Sequence, residues 1–198
     1  MTSKLTEMVF ILDRSGSMSG LESDTIGGFN SMIDKQRGEG DAIVSTILFN
    51  NEVKILHDRV DLDKVAKLTS EEYFVNGCTA LLDAVGETIE RIKRIQKKST
   101  KKVPDTTLFV IVTDGQENSS REFTYKKVKG LIEKQKKNGW DFLFLGANID
   151  VAAEAERIGI HRDNTVEYCC DAAGINEMYK EVGVRMKSAR EKGSFSKE

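Results

Sequence analysis

Proline, cysteine and histidine are scarce in this chain, and so is net charge. One proline in 198 residues leaves no room for a stiff, extended linker. The three cysteines are Cys78, Cys169 and Cys170. An odd number with two adjacent argues against a disulfide framework and for a reducing, cytoplasmic setting. No apolar run approaches the length of a membrane span. The opening MTSKLTEMVF has no apolar stretch ahead of a cleavage site, so no secretory signal is expected. The Asn118-Ser119-Ser120 sequon then carries no expectation of glycosylation. The formal net charge of −2 gives no general attraction to nucleic acid.

What is present is a regular alternation of apolar runs and helical patterns. The length suits one domain, large enough to bury a core without disulfides or a structural metal. MVFIL (8–12), AIVSTILF (42–49), TTLFVIV (106–112) and WDFLFLGA (140–147) are near-continuous apolar runs, as strands buried on both faces require. EVKIL (52–56) alternates instead, which suits an antiparallel edge strand, with a tight Asn50-Asn51 hairpin before it. NTVEYC (164–169) is a modest sixth strand. Helical spacing links Ile26, Phe29 and Ile33; then Leu82, Val85, Ile89 and Ile92; then Val128, Leu131 and Ile132; then Val151, Ala155 and Ile158. Ile175, Met178, Tyr179, Val182 and Met186 mark the last helix. A short helical piece is expected around DKVAKL (63–68), a polar connection at KKSTKKVPD (97–105), and a frayed tail over 191–198. The pattern is that of one α/β domain, 5–190: a mainly parallel sheet with helices on both faces and one antiparallel edge.

In such sheets, ligands bind beyond the carboxyl ends of the strands, where strand order reverses. Three loops meet that description. The first follows the first strand and holds Asp13, Ser15 and Ser17; the second holds Thr79; the third follows the fourth strand and holds Asp114. All five side chains offer oxygen, two as carboxylates and three as hydroxyls. Hard oxygen ligands suit Mg²⁺, Mn²⁺ or Ca²⁺ rather than zinc or copper. Alternate spacing in D-R-S-G-S aims several side chains to one side of the chain, and Gly16 allows the curvature. An EF-hand loop would need Gly at its sixth position and Glu at its twelfth, where Met18 and Asp24 stand. A phosphate-cradling G-x-x-x-x-G-K-[ST] and a nucleophile elbow G-x-S-x-G are both missing. A plain Ser/Gly turn capped by Ser23 or Asp24 accounts for the first loop alone, but not for Thr79 and Asp114 at matching strand ends.

Asp13-Arg14-Ser15-Gly16-Ser17, Gly77-Cys78-Thr79 and Thr113-Asp114-Gly115, in that order and between those strands, resemble the von Willebrand factor A domain over about residues 5–190. The resemblance implies the doubly wound strand order 3-2-1-4-5-6 with strand three antiparallel. It implies a metal-ion-dependent adhesion site in which Ser15 and Ser17 bind directly, while Thr79, Asp13 and Asp114 bind directly or through water. An ion held mainly by neutral hydroxyls keeps positive charge to attract a carboxylate of another protein, so metal-bridged protein binding, without enzymatic activity, is the expected function. With no export signal or flanking domain in sight, the chain is similar to stand-alone intracellular bacterial members.

Two other functions compete. A bound metal can activate water for hydrolysis or phosphotransfer, but Glu117 is the sole nearby carboxylate to act as base. Alternatively, the metal site is purely structural. Of the remaining residues, Cys78 reads as a small, partly buried loop residue, and His57 and His161 as surface residues. The basic stretches RIKRIQKKSTKK and KKVKGLIEKQKK read as solvated helix faces rather than nucleic-acid patches. Met18, Ser19, Glu22 and residues 116–119 are candidates to rim the metal.

Overall fold

Alternate residues of a strand face opposite ways, and in the first strand both sets are apolar. A computed structural model describes residues 4–99 and 103–195. In it β1 (Thr6–Asp13) is completely buried. Met8, Phe10 and Leu12 pack on one side against α1 (Glu22–Gln36) and α5 (Ala172–Lys192). Val9 and Ile11 pack on the other against α2 (Leu81–Lys98), α3 (Tyr125–Lys136) and α4 (Val151–Arg157). Aromatic rings join the layers: Phe10 meets Phe29 of α1 edge-on at 5.5 Å. Both faces of this strand need apolar cover, which explains the unbroken run in the sequence.

The remaining strands are β2 (Ala42–Phe49), β3 (Val53–Asp61), β4 (Thr106–Thr113), β5 (Trp140–Gly146) and β6 (Thr165–Glu167). Their order is 3-2-1-4-5-6, with β3 antiparallel to β2 and the other pairings parallel. This is the doubly wound α/β sheet expected, with helices on both faces. β1 and β4 are neighbours, and the chain leaves them toward opposite edges of the sheet. Their carboxyl ends flank the crevice where such folds bind ligands.

Several local expectations change. DKVAKL forms no helix beyond a 3₁₀ turn at Leu62–Lys64, because its apolar Val65 and Leu68 are drawn individually into the core. The β2–β3 connection is not a tight two-residue turn on left-handed asparagines: neither Asn50 nor Asn51 has positive φ. Instead the Asn50 side chain accepts the Glu52 N–H at 3.0 Å, bridging a three-residue loop. β3 runs on to Asp61, and β6 stops at Glu167. The tail is ordered further than expected. α5 extends to Lys192, Gly193 ends it in a left-handed conformation, and Phe195 is buried. Residues 196–198, and 100–102 within the polar connection, lie outside the described residues.

Candidate metal centre

Asp13 is the last residue of β1 and only 1% exposed. Its Oδ1 accepts the Ser15 N–H at 2.7 Å, which turns the chain sharply after the strand. Its Oδ2 accepts the Thr113 hydroxyl at 2.6 Å, tying the end of β1 to the end of β4. The following 3₁₀ turn, Gly16–Met18, is anchored by Met18, whose side chain enters the core. Met18 is therefore no rim residue. Gly16 lets the first loop approach the second: its N–H donates to the Gly77 carbonyl at 3.0 Å, and a Cβ there would sit 3.3 Å from that oxygen.

Four of the five sequence-predicted side chains then meet directly. Thr79 Oγ1 donates to Ser15 Oγ at 3.0 Å, Ser15 and Ser17 hydroxyls are 3.1 Å apart, and Ser17 Oγ donates to Asp114 Oδ1 at 2.5 Å. The fifth, Asp13, adjoins the chain through the Ser15 N–H. Since Thr79 donates at one end and Asp114 accepts at the other, the protons run Thr79 to Ser15 to Ser17 to Asp114. Around an octahedral ion with 2.0–2.1 Å bonds, adjacent oxygens lie about 2.9 Å apart. The 3.0 and 3.1 Å separations of the three hydroxyls match that edge length, while the Ser17–Asp114 hydrogen bond is shorter; the all-oxygen donor set and the hydroxyl spacing fit a small hard cation. Gly115 closes the third loop without a side chain; a Cβ would lie 3.3 Å from both Ser17 Oγ and Thr79 Oγ1. Among the described residues, no three His, Cys, Asp or Glu converge, so hydroxyls dominate the cluster.

Burial governs the charge of the two carboxylates. Desolvation pushes Asp13 up to about 6, against the opposing effect of its hydrogen bonds to Thr113 and Ser15. Desolvation also raises Asp114, opposed by the Ser17 and Cys170 hydrogen bonds. Both shifts mark a site that lacks compensating positive charge.

Further residues hold the loops in roles that the sequence did not reveal, Asn118 having been read only as a rim candidate. Tyr73 OH donates to the Asp13 carbonyl at 2.6 Å, and Tyr168 OH to the Thr113 carbonyl at 3.1 Å. Asn118 Oδ1 accepts the Thr79 N–H at 2.9 Å, while Asn51 Oδ1 accepts the Cys78 N–H at 2.8 Å. Asn50 receives the Ala80 N–H on its carbonyl and donates its side-chain amide to Asn76. The Asn-Asn pair was visible in the sequence, but as a turn former; its longer reach across to the Thr79 loop carries no periodic signal. Glu117 is likewise structural. Its carboxylate accepts the N–H groups of Leu82, Ser119 and Ser120 and the Ser120 hydroxyl. It caps α2 and is occupied.

Two smaller expectations are corrected, and one neighbour of the site is added. Cys78 is exposed rather than partly buried. His57 is buried, with Nδ1 3.0 Å from Thr46 Oγ1 and the backbone at Ala66 hydrogen-bonded to its ring. Cys170 lies beside the site, its Sγ 3.7 Å from Asp114 Oδ2. No described helix is long and apolar enough to cross a membrane.

The fold returns in solved structures of very different sequence. The PilB minor pilin of Streptococcus sanguinis superposes with a TM-score of 0.70 at 13% identity, over 94% of this chain and 62% of that one. Proximal thread matrix protein 1 from the mussel byssus, solved with a zinc-occupied metal-ion-dependent adhesion site, gives 0.64 at 14% identity over 95% and 46%. The vWF domain of the type V pili tip protein Mfa5 of Porphyromonas gingivalis gives 0.63 at 9% identity over 93% and 97%. This chain spans less than two thirds of the length of the first two. These likenesses concern the fold alone. Among curated proteins, none matches the sequence. The sequence pattern of the von Willebrand factor type A domain matches residues 7–181, and the chain belongs to that family.

Proposed function

We propose that this protein is a metal-dependent protein-binding module. Ser15, Ser17 and Thr79 would hold Mg²⁺, or Mn²⁺ or Ca²⁺, with Asp13 and Asp114 acting directly or through water. When bound, the ion supplies an electrophilic position for an Asp or Glu carboxylate of a partner protein. The observation that carries this reading is the convergence of four oxygen side chains from three loops, with the three hydroxyls at octahedral edge spacing. Their near-neutral character supports an acidic ligand, since three hydroxyls leave the ion's charge uncancelled. The zinc held at this motif in the mussel protein supports divalent binding; the all-oxygen donor set here favours harder ions.

The chain's own residues organise the site. Asp13 orients Ser15, Thr113 orients Asp13, Asn118 and Asn51 fix the backbone on either side of Thr79, and Gly115 keeps the hydroxyls uncrowded. Glu117, the carboxylate a hydrolytic role would use as its base, is committed to the α2 cap, which favours the binding reading. Calorimetric titration of Mg²⁺ and Mn²⁺ tests the proposal: saturable heat is expected for the wild type and none for Asp13→Ala. Equal heats in the two proteins would reject it. Capture of a native partner is expected in Mg²⁺ and lost in EDTA.

A further inference from the structure

The two basic stretches of the sequence fold side by side. α2 and α3 pack against each other on one face of the sheet, the face that buries Val9 and Ile11. Each starts near the metal loops and leads back to the first residue of β4 or β5, so the last turns of both lie at the amino end of the sheet. Residues 91–98 hold five cations and no acid; residues 125–137 hold six cations and one acid. These two segments carry +10 in a chain whose total is −2, so the remaining residues carry −12. Arg91 pairs with Asp58, and Lys129 with Glu133. Lys93, Arg94, Lys97, Lys98, Lys134 and Lys136 are exposed and, among the described residues, pair with no carboxylate. The helix dipole favours a cation in the last turn of a helix, which accounts for Lys97, Lys98, Lys134 and Lys136 one by one. It accounts neither for Lys93 and Arg94 a turn earlier nor for the lack of balancing acids beside them.

We propose that this two-helix face docks on an anionic phospholipid bilayer, with the amino end of the sheet turned toward the lipid. Charge complementarity selects a polyanion, and the distribution of charge selects a plane. A planar surface meets one face at a time. The Debye length of about 8 Å at physiological ionic strength hides the acidic remainder beyond the sheet. A nucleic acid is the competing polyanion, and the face suits it less. Five of the six free cations are lysines, compact point charges, where planar bidentate recognition of phosphate would use arginine. α2 contains no aromatic residue, and the one ring of α3, Tyr125, is covered by the Arg157 guanidinium at 3.5 Å, so neither helix offers a ring to a base. Val103, 48% exposed in the connection from α2 to β4, adds an apolar side chain at the same end. The metal loops lie at the other end of α2, about 20 Å away along its axis, and stay clear of the bilayer.

Co-sedimentation of the full chain with vesicles tests this. In EDTA, binding is expected to vesicles with about one-third phosphatidylserine in phosphatidylcholine, to be released by about 0.5 M salt, and to be missing with phosphatidylcholine alone. Replacing Lys93, Arg94, Lys97 and Lys98 together by Gln is expected to weaken partitioning at least about tenfold. Replacing Lys35, Lys64, Lys67 and Lys180 by Gln lowers the net charge equally but lies off this face, and should leave partitioning within about twofold of the wild type. Melting curves confirm that both variants are folded. No binding to the anionic vesicles, equal binding to phosphatidylcholine, or equal losses in the two variants overturns the proposal. Binding that needs Mg²⁺ and disappears in Asp13→Ala places the contact at the metal loops and overturns it too. Tighter binding to single-stranded polyuridylate than to the vesicles overturns the choice of lipid.

Discussion

At the scale of single residues, Asp13 links chemistry to stability. Its carboxyl titrates near 6 in the folded, metal-free protein, above its ordinary value of 3.8, chiefly because burial penalises its charge. The folded state therefore holds a proton that the unfolded chain releases at lower pH. Stability from this group is full below the unfolded value and is lost as pH rises through 6. A shift of that size corresponds to about 3 kcal/mol. In EDTA, the melting temperature of the wild type is thus expected to fall between pH 5 and 7.5 relative to Asp13→Asn, which cannot ionise. If the site holds a cation as proposed, the trend is expected to reverse, because a cation favours the ionised form. Mg²⁺ should raise the melting temperature more at pH 7.5 than at pH 5, and equal increments at the two pH values would contradict this account. Gly115 makes a second residue-scale case. A methyl group there meets Ser17 and Thr79 hydroxyls at 3.3 Å. Gly115→Ala is expected to weaken Mg²⁺ binding about tenfold while leaving the thermal midpoint nearly in place, as calorimetry and a melting curve together would reveal.

At the scale of elements, α2 and the loop after β4 stabilise one another. Glu117 caps the Leu82 N–H, and Asp83 in return accepts the N–H groups of Arg121, Glu122 and Phe123. Neither residue was legible in this role. The periodicity of Leu82, Val85, Ile89 and Ile92 reveals the helix, but a cap supplied from 35 residues away leaves no local spacing to read. The readings open to Glu117 were a residue rimming the metal and a carboxylate near Asp114 available for proton transfer. Its four hydrogen bonds predict otherwise. Glu117→Ala should cost about 2 kcal/mol, seen as a drop of roughly 4–8 °C in melting temperature. Wild type and variant should be equally inactive on generic phosphate esters. Metal-dependent turnover lost on Glu117→Gln would restore the hydrolase reading.

At the scale of the whole molecule, the two ends of the sheet do different work. The carboxyl end gathers Asp13, Ser15, Ser17, Thr79 and Asp114. These were legible because the oxygen side chains stand beside apolar runs whose burial dictates where each strand stops. The amino end was not legible. Phe195 is one aromatic among Lys, Gly and Ser, with no periodic partner, so KGSFSKE reads as a loose tail. Its fixing point is Asp141, at the start of β5, which accepts the Phe195 N–H and the Ser194 hydroxyl at 2.7 Å each, and the Asn164 amide at 3.1 Å. That buried carboxylate has donors from two distant parts of the chain, the Ser194–Phe195 tail and Asn164, and the Phe195 side chain is itself buried. Truncating the ring removes apolar packing worth about 3 kcal/mol and opens the Asp141 network. Phe195→Ala should therefore lower the melting temperature by roughly 6–12 °C. Because the ring lies at the sheet's far end from the oxygen cluster, the Mg²⁺ titration of the folded variant should match the wild type. A parallel loss of metal affinity at temperatures well below unfolding would show that the two ends are coupled through the strands.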